Sequence, residues 1–166
     1  MNLRFYPDHK ILECSLSNVI KDIPADCVVR NELNGRRPNP EKIPSEEVVY
    51  AITADRYHKY PVMPRTFPRG VWSVFKPLPR PDDEYLSPFF IPTEAEQYLN
   101  VWALDEEGGY DHETDQRVLD LGYGIHFSTS RTTVGCIRIY SEEDLLWLVS
   151  NYFRETQAGH AVQLAA

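Results

Sequence analysis

Only one segment of this chain has the apolar spacing of an α-helix, and that segment begins after residue 140. Ser141 is a suitable N-cap, with Asp144 three residues later in the capping-box position. The apolar stripe that follows is expected to pack on a core and comprises Leu145, Leu146, Leu148, Val149, Tyr152 and Phe153. With a single clear helix, the rest of the fold must be built from strands and turns. The sequence therefore predicts a mainly β (α+β) protein with one long C-terminal helix.

Short alternating segments supply the predicted strands. Residues 3–7 and 10–17 alternate apolar and polar side chains around a Pro-Asp-His-Lys turn, which predicts a half-buried hairpin. Further strands are predicted at 48–54, 70–77, 99–104, 123–128 and 134–140.

Three stretches are predicted to lie outside the regular strands. Residues 78–93 are rich in proline, and we expect neither a helix nor a central strand there. Residues 30–46 are predicted to form a polar loop and residues 105–117 an acidic loop. The segment just before residue 99 favours a short helical turn.

Length and charge restrict the class of protein. A chain of 166 residues is expected to form a single domain, 1–166, with a core that needs no disulfides. The net charge of -8 argues against a nucleic-acid partner, because phosphate binding needs clustered basic side chains. No apolar run reaches membrane-spanning length and no signal peptide is evident, so we expect synthesis in the cytoplasm and no membrane partner.

The three cysteines fall into two groups. Cys14 and Cys27 lie in strand-like contexts and are interpreted as buried structural thiols, with a disulfide between them left open. Cys136 is different, because His126 precedes it by ten residues and an antiparallel pairing of their strands would bring the two side chains together. A thiolate needs a nearby base or positive charge to act as a nucleophile.

Residues beside Cys136 fit the same chemistry. Gly135 allows close approach of a substrate, and its N–H and that of Cys136 are expected to face a developing oxyanion. Arg138 lies two residues beyond Cys136 on the same side of a strand, where a guanidinium could hold a substrate carboxylate or stabilise the thiolate. The alternative is a core cysteine beside an incidental histidine.

Other candidates are weaker. Tyr123 either lines the pocket or belongs to the core, and His58 is expected on a loop. Four residues of the acidic stretch could ligate a divalent ion, but solvent exposure is favoured and no metal or organic cofactor is predicted; they are Asp111, His112, Glu113 and Asp115.

The segment "IHFSTSRTTVGCIRI", residues 125–139, resembles the active-site signature of L,D-transpeptidase catalytic (YkuD-like) domains. That signature reads roughly His-Gly, a variable spacer, then Ser/Thr-His-Gly-Cys-hydrophobe-Arg/Asn. The matching residues here are His126, Thr133, Gly135, Cys136 and Arg138. Residues 66–74 are similar to the family's Thr-Pro-x-Gly-x-Phe motif, and residues 4–18 to its first hairpin.

Two positions depart from the family pattern. Phe127 replaces the glycine after the histidine, and Val134 replaces the second histidine. The dyad itself is retained, and we expect the carbonyl of Phe127 to orient the imidazole of His126.

The resemblance implies a YkuD-like β-sandwich or barrel that acts on peptidoglycan stem peptides through an acyl-thioester. Cys136 would be the nucleophile, His126 the base and Gly135 an oxyanion donor, with Arg138, Thr133 and Tyr123 binding substrate. It implies L,D-carboxypeptidase activity, L,D-transpeptidation or D-amino-acid exchange. The alternatives are a non-catalytic cell-wall or partner-binding module on the same fold, a phage-encoded cell-wall peptidase and, less favoured, a general cysteine peptidase.

The short spacer between His126 and Cys136 looks like that of type VI-secreted L,D-transpeptidase-like effectors. This resemblance implies an antibacterial toxin that acts in the periplasm of a target cell. An immunity protein and the secretion machinery are then the expected partners besides the stem peptides.

Overall fold

The computed structural model describes residues 1–28, 62, 66–107, 110–130, 133 and 135–166. Within these residues the chain forms eleven strands and one helix. They are β1 (Asn2–Tyr6), β2 (Ile11–Ser15), β3 (Ile20–Asp26), β4 (Val71–Ser73), β5 (Leu78–Pro79), β6 (Phe89–Pro92), β7 (Gln97–Leu104), β8 (Tyr110–Asp120), β9 (Gly124–Phe127), β10 (Ile137–Ile139), α1 (Glu142–Gln157) and β11 (Gln163–Ala165). The mainly β prediction is confirmed for this part of the chain. The strand predicted at 48–54, the loop at 30–46 and His58 lie outside the described residues.

The chain divides into two compact units. The larger contains Met1–Val29, Thr66–Ala95 and Tyr123–Ala166, and the smaller contains Arg30–Arg65 and Glu96–Gly122. Nine strands and the helix belong to the larger unit, whereas β7 and β8 belong to the smaller. The single L,D-transpeptidase-like domain spanning 1–166 stays a prediction.

The sheet of the larger unit curls back on itself. Its strand order is β4-β11-β1-β2-β3-β10-β9-β6-β5. Val74, just after β4, forms a bridge with Thr93, just after β6, and Phe75 N donates to Pro92 O at 2.8 Å. These bonds join the first strand of the order to the last but one, so the sheet encloses its apolar face.

Strand alternation fills this enclosed face. In the β1–β2 hairpin, which confirms the prediction, Leu3, Leu12 and Cys14 are turned inward and nearly inaccessible. Ile125 on β9 and Ile137 on β10 point to the same enclosed face and join this core. Because side chains alternate along a strand, the residues between these point to the opposite face, and His126 and Arg138 lie there.

The helix α1 begins as predicted, and its apolar stripe packs on the core except at Leu146, which is 42% exposed. Ser141 is its N-cap and accepts a hydrogen bond from Asp144 N at 3.3 Å. Leu145, Leu148 and Val149 are buried where α1 packs against β6, β9 and β10. Among the residues described, no helix is long and apolar enough to cross a membrane.

The proline-rich stretch departs from its prediction. Residues Phe89–Pro92 form β6, which pairs with β9 on one side and β5 on the other, so a strand with two neighbours does form here. Pro88 precedes this strand and Pro92 ends it. Prolines at the strand termini interrupt few ladder hydrogen bonds, which explains why the strand is compatible with this sequence.

The smaller unit also corrects a prediction. Most of the expected acidic loop is the strand β8, which pairs antiparallel with β7 in a register interrupted by bulges. The strand β7 begins at Gln97, so no helical turn precedes it in this described segment. A small core of Val62, Leu99, Val101 and Val118 explains the strand, because one face of each strand is buried.

Candidate active site

His126 lies on a strand that pairs in parallel with the strand directly after Cys136. The expected antiparallel pairing is wrong: β9 and β10 are parallel, with His126 opposite Arg138 and Ile125 opposite Ile137. A connection of nine residues, 128–136, spans roughly 30 Å when extended, which exceeds the roughly 13 Å length of a four-residue strand. Nine residues are therefore long enough to lead from the end of β9 back to the start of β10, as parallel pairing requires.

The parallel register still places the candidate dyad on one face. Ile125 and Ile137 point into the core with 0% exposure, so His126 and Arg138 point to the opposite face. Cys136 comes directly before β10, and continuing the alternation by one residue places its side chain on the His126 face. Cys136 is half-buried, so the residue as a whole is not enclosed in the core.

The ring of His126 is held in one tautomer. Its Nδ1 lies 3.0 Å from the carbonyl oxygen of Phe127, and because a carbonyl only accepts, Nδ1 carries the proton. The expected orienting role of Phe127 is thereby confirmed. The backbone of Tyr85 also acts on the ring as a hydrogen-bond partner and, like Phe127 O, favours its protonated form.

Burial lowers the pKa of His126 below its ordinary value. The bond to Phe127 O and the charge of Asp83 oppose this effect, and the positive charge of Arg138 adds to it. The residue is only 7% exposed, which explains why desolvation dominates. At neutral pH the imidazole is uncharged, the form that a general base requires.

A compact set of hydrogen bonds shapes the turn before β10. Thr133 Oγ1 donates to Cys136 O at 2.9 Å and accepts from Gly135 N at 3.3 Å, while Thr133 N donates to Val28 O at 2.9 Å. Gly135 has φ 119°, a conformation that favours glycine. In this arrangement the Gly135 N–H, expected to face an oxyanion, donates to Thr133, which braces the turn.

Cys27 supports the same turn from the neighbouring strand. Its Sγ donates to Gly135 O at 3.3 Å and accepts from Phe67 N at 3.3 Å. All three cysteines lie among the described residues, and each is a free thiol in this structure. Sequence reasoning identified Cys27 as buried but missed its contact with the candidate site.

Arg138 is engaged by a carboxylate of the protein itself. Its Nε donates to Asp26 Oδ1 at 3.1 Å and its Nη2 to Asp26 Oδ2 at 2.9 Å, while Nη1 donates to Ser130 O. Tyr140 OH donates to Asp26 Oδ2 at 2.5 Å. Three of the five guanidinium N–H groups are thus committed, and the Nε–Nη2 edge that could grip a substrate carboxylate is occupied by Asp26. Binding of substrate by Arg138 stays a prediction.

An aromatic ring borders His126 on its other side. Phe90 on β6 is opposite His126 in the register, and its ring reaches over Gly124. A Cβ added to Gly124 would lie 2.5 Å from two atoms of this ring. The ring of Phe90 therefore leaves no room for a side chain at position 124.

Tyr123 belongs to the core. It is 2% exposed and makes an edge-to-face contact with Phe67, with ring centroids 5.8 Å apart. Of the two interpretations made from the sequence, the core one is supported, and a direct contact of Tyr123 with substrate is not.

The acidic stretch of β8 is solvent-exposed, as favoured from the sequence. His112 Nδ1 lies 2.8 Å from Asp111 Oδ2, with both side chains more than 60% exposed. Within the described residues, no cluster of three or more potential ligands could hold a metal ion.

Comparison with known proteins identifies no relative: no protein-family model, no curated protein and no solved structure matches the chain.

Proposed function

We propose that the chain is a cysteine enzyme that acts on peptidoglycan stem peptides through an acyl-thioester, with Cys136 as nucleophile and His126 as base. One observation carries the proposal. A buried, neutral imidazole with its Nδ1 proton directed to Phe127 O lies on the same sheet face as the half-buried Cys136. The resemblance of residues 125–139 to the L,D-transpeptidase signature supplies the substrate class.

The proposed reaction uses the two side chains in sequence. His126 Nε2 takes the thiol proton of Cys136, and the thiolate forms a bond to the carbonyl carbon of a stem peptide. The tetrahedral intermediate expels the amine, which receives the proton from His126, and an acyl-thioester remains on Cys136. Water then gives L,D-carboxypeptidase activity, whereas an amine acceptor gives exchange or transpeptidation.

An oxyanion donor is needed for the first step. Gly135 N–H is 3.3 Å from Thr133 Oγ1, a long hydrogen bond to a neutral acceptor. An oxyanion is a stronger acceptor than a hydroxyl oxygen, so this N–H would turn from Thr133 to the intermediate at little cost. In this proposal Thr133 stabilises the resting turn and Gly135 serves the intermediate.

Stem-tetrapeptide carboxypeptidase or exchange activity is preferred over crosslinking. The preference rests on the short spacer between His126 and Cys136, which is similar to that of secreted effectors. An antibacterial effector acting in a target cell's periplasm, with an immunity protein as partner, follows from the same resemblance.

The test is incubation with purified muropeptides followed by mass analysis. We expect wild type to remove or exchange the terminal D-amino acid and Cys136→Ala to leave the muropeptides unchanged. Cys14→Ala is the matched control, because Cys14 is a cysteine with 0% exposure away from the dyad, and it should retain activity. Identical product profiles for wild type and Cys136→Ala would reject the enzymatic proposal.

A non-catalytic module that binds cell-wall peptide is the second candidate. It is favoured by the engagement of Gly135 N–H with Thr133 and of Arg138 with Asp26. Sedimentation with purified sacculi separates the two: this candidate requires equal binding by wild type and Cys136→Ala together with unchanged muropeptides in both.

A further inference from the structure

Asp26 is a buried carboxylate to which the proposed reaction assigns no role. It ends β3, is 4% exposed, and lies opposite Arg138 in the antiparallel register of β3 and β10. Burial of a charged group is costly without a partner, so a carboxylate at this depth must be compensated.

Arg138 compensates it through both carboxylate oxygens. The Nε–Oδ1 and Nη2–Oδ2 distances of 3.1 and 2.9 Å form a two-point contact that fixes the plane of the guanidinium. Tyr140 adds its hydroxyl to Oδ2, and its ring lies 4.5 Å from the guanidinium carbon. The geometry leaves Arg138 with one orientation.

This orientation connects Asp26 to both members of the dyad. Arg138 Nη1 donates to Ser130 O, which lies in the connection that leads to Cys136. Arg138 is also the register partner of His126 on the adjacent strand. By fixing Arg138, Asp26 therefore helps to hold the segment between β9 and Cys136 in place. It also changes the electric field that Arg138 exerts on the His126 imidazole.

The charge of Arg138 affects the protonation of His126 that the proposed reaction requires. When His126 takes the thiol proton it becomes a cation, and an uncompensated guanidinium on the next strand would oppose that step. The carboxylate of Asp26 cancels most of this field. Two further charges act at these groups: Lys10 at Asp26 and Asp83 at His126.

We propose that Asp26 is a positioning residue of the Cys136–His126 pair, which holds Arg138 on Ser130 and cancels the guanidinium charge beside the imidazole. The inference rests on the proposed function. It assigns Arg138 to the internal organisation of the site and leaves recognition of the substrate to other groups.

The experiment measures the rate of Cys136 alkylation by iodoacetamide against pH, alongside muropeptide turnover. In Asp26→Asn the guanidinium is uncompensated, so it favours the thiolate and opposes the imidazolium. We expect the midpoint of alkylation to move to lower pH by about one unit and turnover to fall about tenfold or more. Asp22→Asn, on the same strand but exposed, should match wild type in both measurements.

A double variant keeps the test decisive if Asp26→Asn does not fold. Asp26→Asn/Arg138→Gln removes both charges, and a site without the pair is less costly than one with a single buried charge. Because the net charge equals that of wild type, its alkylation midpoint should lie within about 0.3 units of wild type. A midpoint raised by about one unit in the double variant would overturn the cancelling role.

An unchanged midpoint in a folded Asp26→Asn protein, with lower thermal stability alone, would also overturn the proposal. The alkylation measurement does not depend on turnover. Muropeptides that are unchanged by wild type would reject the proposed enzyme while leaving the effect of Asp26 on Cys136 measurable.

Discussion

The sulfur of Cys27 lies 3.3 Å from the carbonyl oxygen of Gly135, although 108 positions separate the two residues in the chain. The same sulfur accepts a hydrogen bond from Phe67 N. One buried thiol thus joins the end of β3, the segment before β4 and the turn that carries Cys136.

The first prediction concerns this thiol. Cys27→Ala leaves Phe67 N–H without its acceptor and Gly135 O without its donor, so we expect a loss of about 1–3 kcal/mol in the free energy of unfolding. Muropeptide turnover should also fall, because the turn before Cys136 is released. Cys14→Ala removes the same atom from a site whose sulfur only approaches Leu12 O at 3.8 Å. Equal effects of the two substitutions in urea titrations would contradict the role of Cys27.

The second prediction is a pH dependence of stability. Burial lowers the pKa of His126 below 6.5. Between 6.5 and that lowered value the unfolded chain binds a proton that the folded chain does not, so stability decreases as the pH falls through this window. In this window the free energy of unfolding falls by up to about 1.4 kcal/mol for each unit of decrease in pH. His126→Gln should flatten it in urea titrations between about pH 5 and 7, and parallel curves for the two proteins would argue against a buried neutral imidazole.

The third prediction concerns the space beside the dyad. In Gly124→Ala the new methyl group would lie 2.5 Å from the Phe90 ring and from Ile91 O. Because Ile91 O is a backbone atom, the strand must shift, and we expect a loss of about 1–3 kcal/mol in the free energy of unfolding. Gly124→Ala/Phe90→Leu should recover part of the loss, since only the contact with Ile91 O remains. No recovery in thermal denaturation would show that the ring is not the obstacle.

The fourth prediction distinguishes the three thiols in the folded protein. Burial raises the pKa of Cys14 to about 12, so this thiol is protonated and inaccessible at pH 8. Cys136 is half-buried and is the proposed partner of His126, so we expect iodoacetamide to modify it more than about tenfold faster than Cys14 or Cys27. Peptide mapping after brief labelling gives the order. Equal slow labelling of all three would favour the binding module.

Local patterns gave the parts of the fold that depend on neighbouring residues. The Ser141 cap, the buried side of α1 and the first hairpin were predictable because capping and alternation act within a few residues. The short strand between Pro88 and Pro92 was missed because pairing on both sides is a tertiary property. The strand β8 was missed because one-sided burial against β7 outweighs its polar composition.

The residue types of the candidate site could be chosen from the sequence, but their contacts could not. His126, Cys136 and the role of the Phe127 carbonyl follow from residues close in sequence. Asp26 and Cys27 contact residues of the turn and of β10 from a strand more than 100 positions away. No spacing rule reports such pairs, so the assignment of Arg138 to a substrate carboxylate could not be tested from the sequence.

The pairing of β1 with β11 has a consequence for how the larger unit forms. Asn2 is matched with Gln163 in parallel register, and β11 separates β1 from β4 within the sheet. During synthesis β1 can therefore complete its pairing only after β11 has been made, which is about 160 residues later in the chain. Sheets that depend on such distant pairings fold slowly, so we expect the nascent chain to depend on chaperones until translation has passed residue 165.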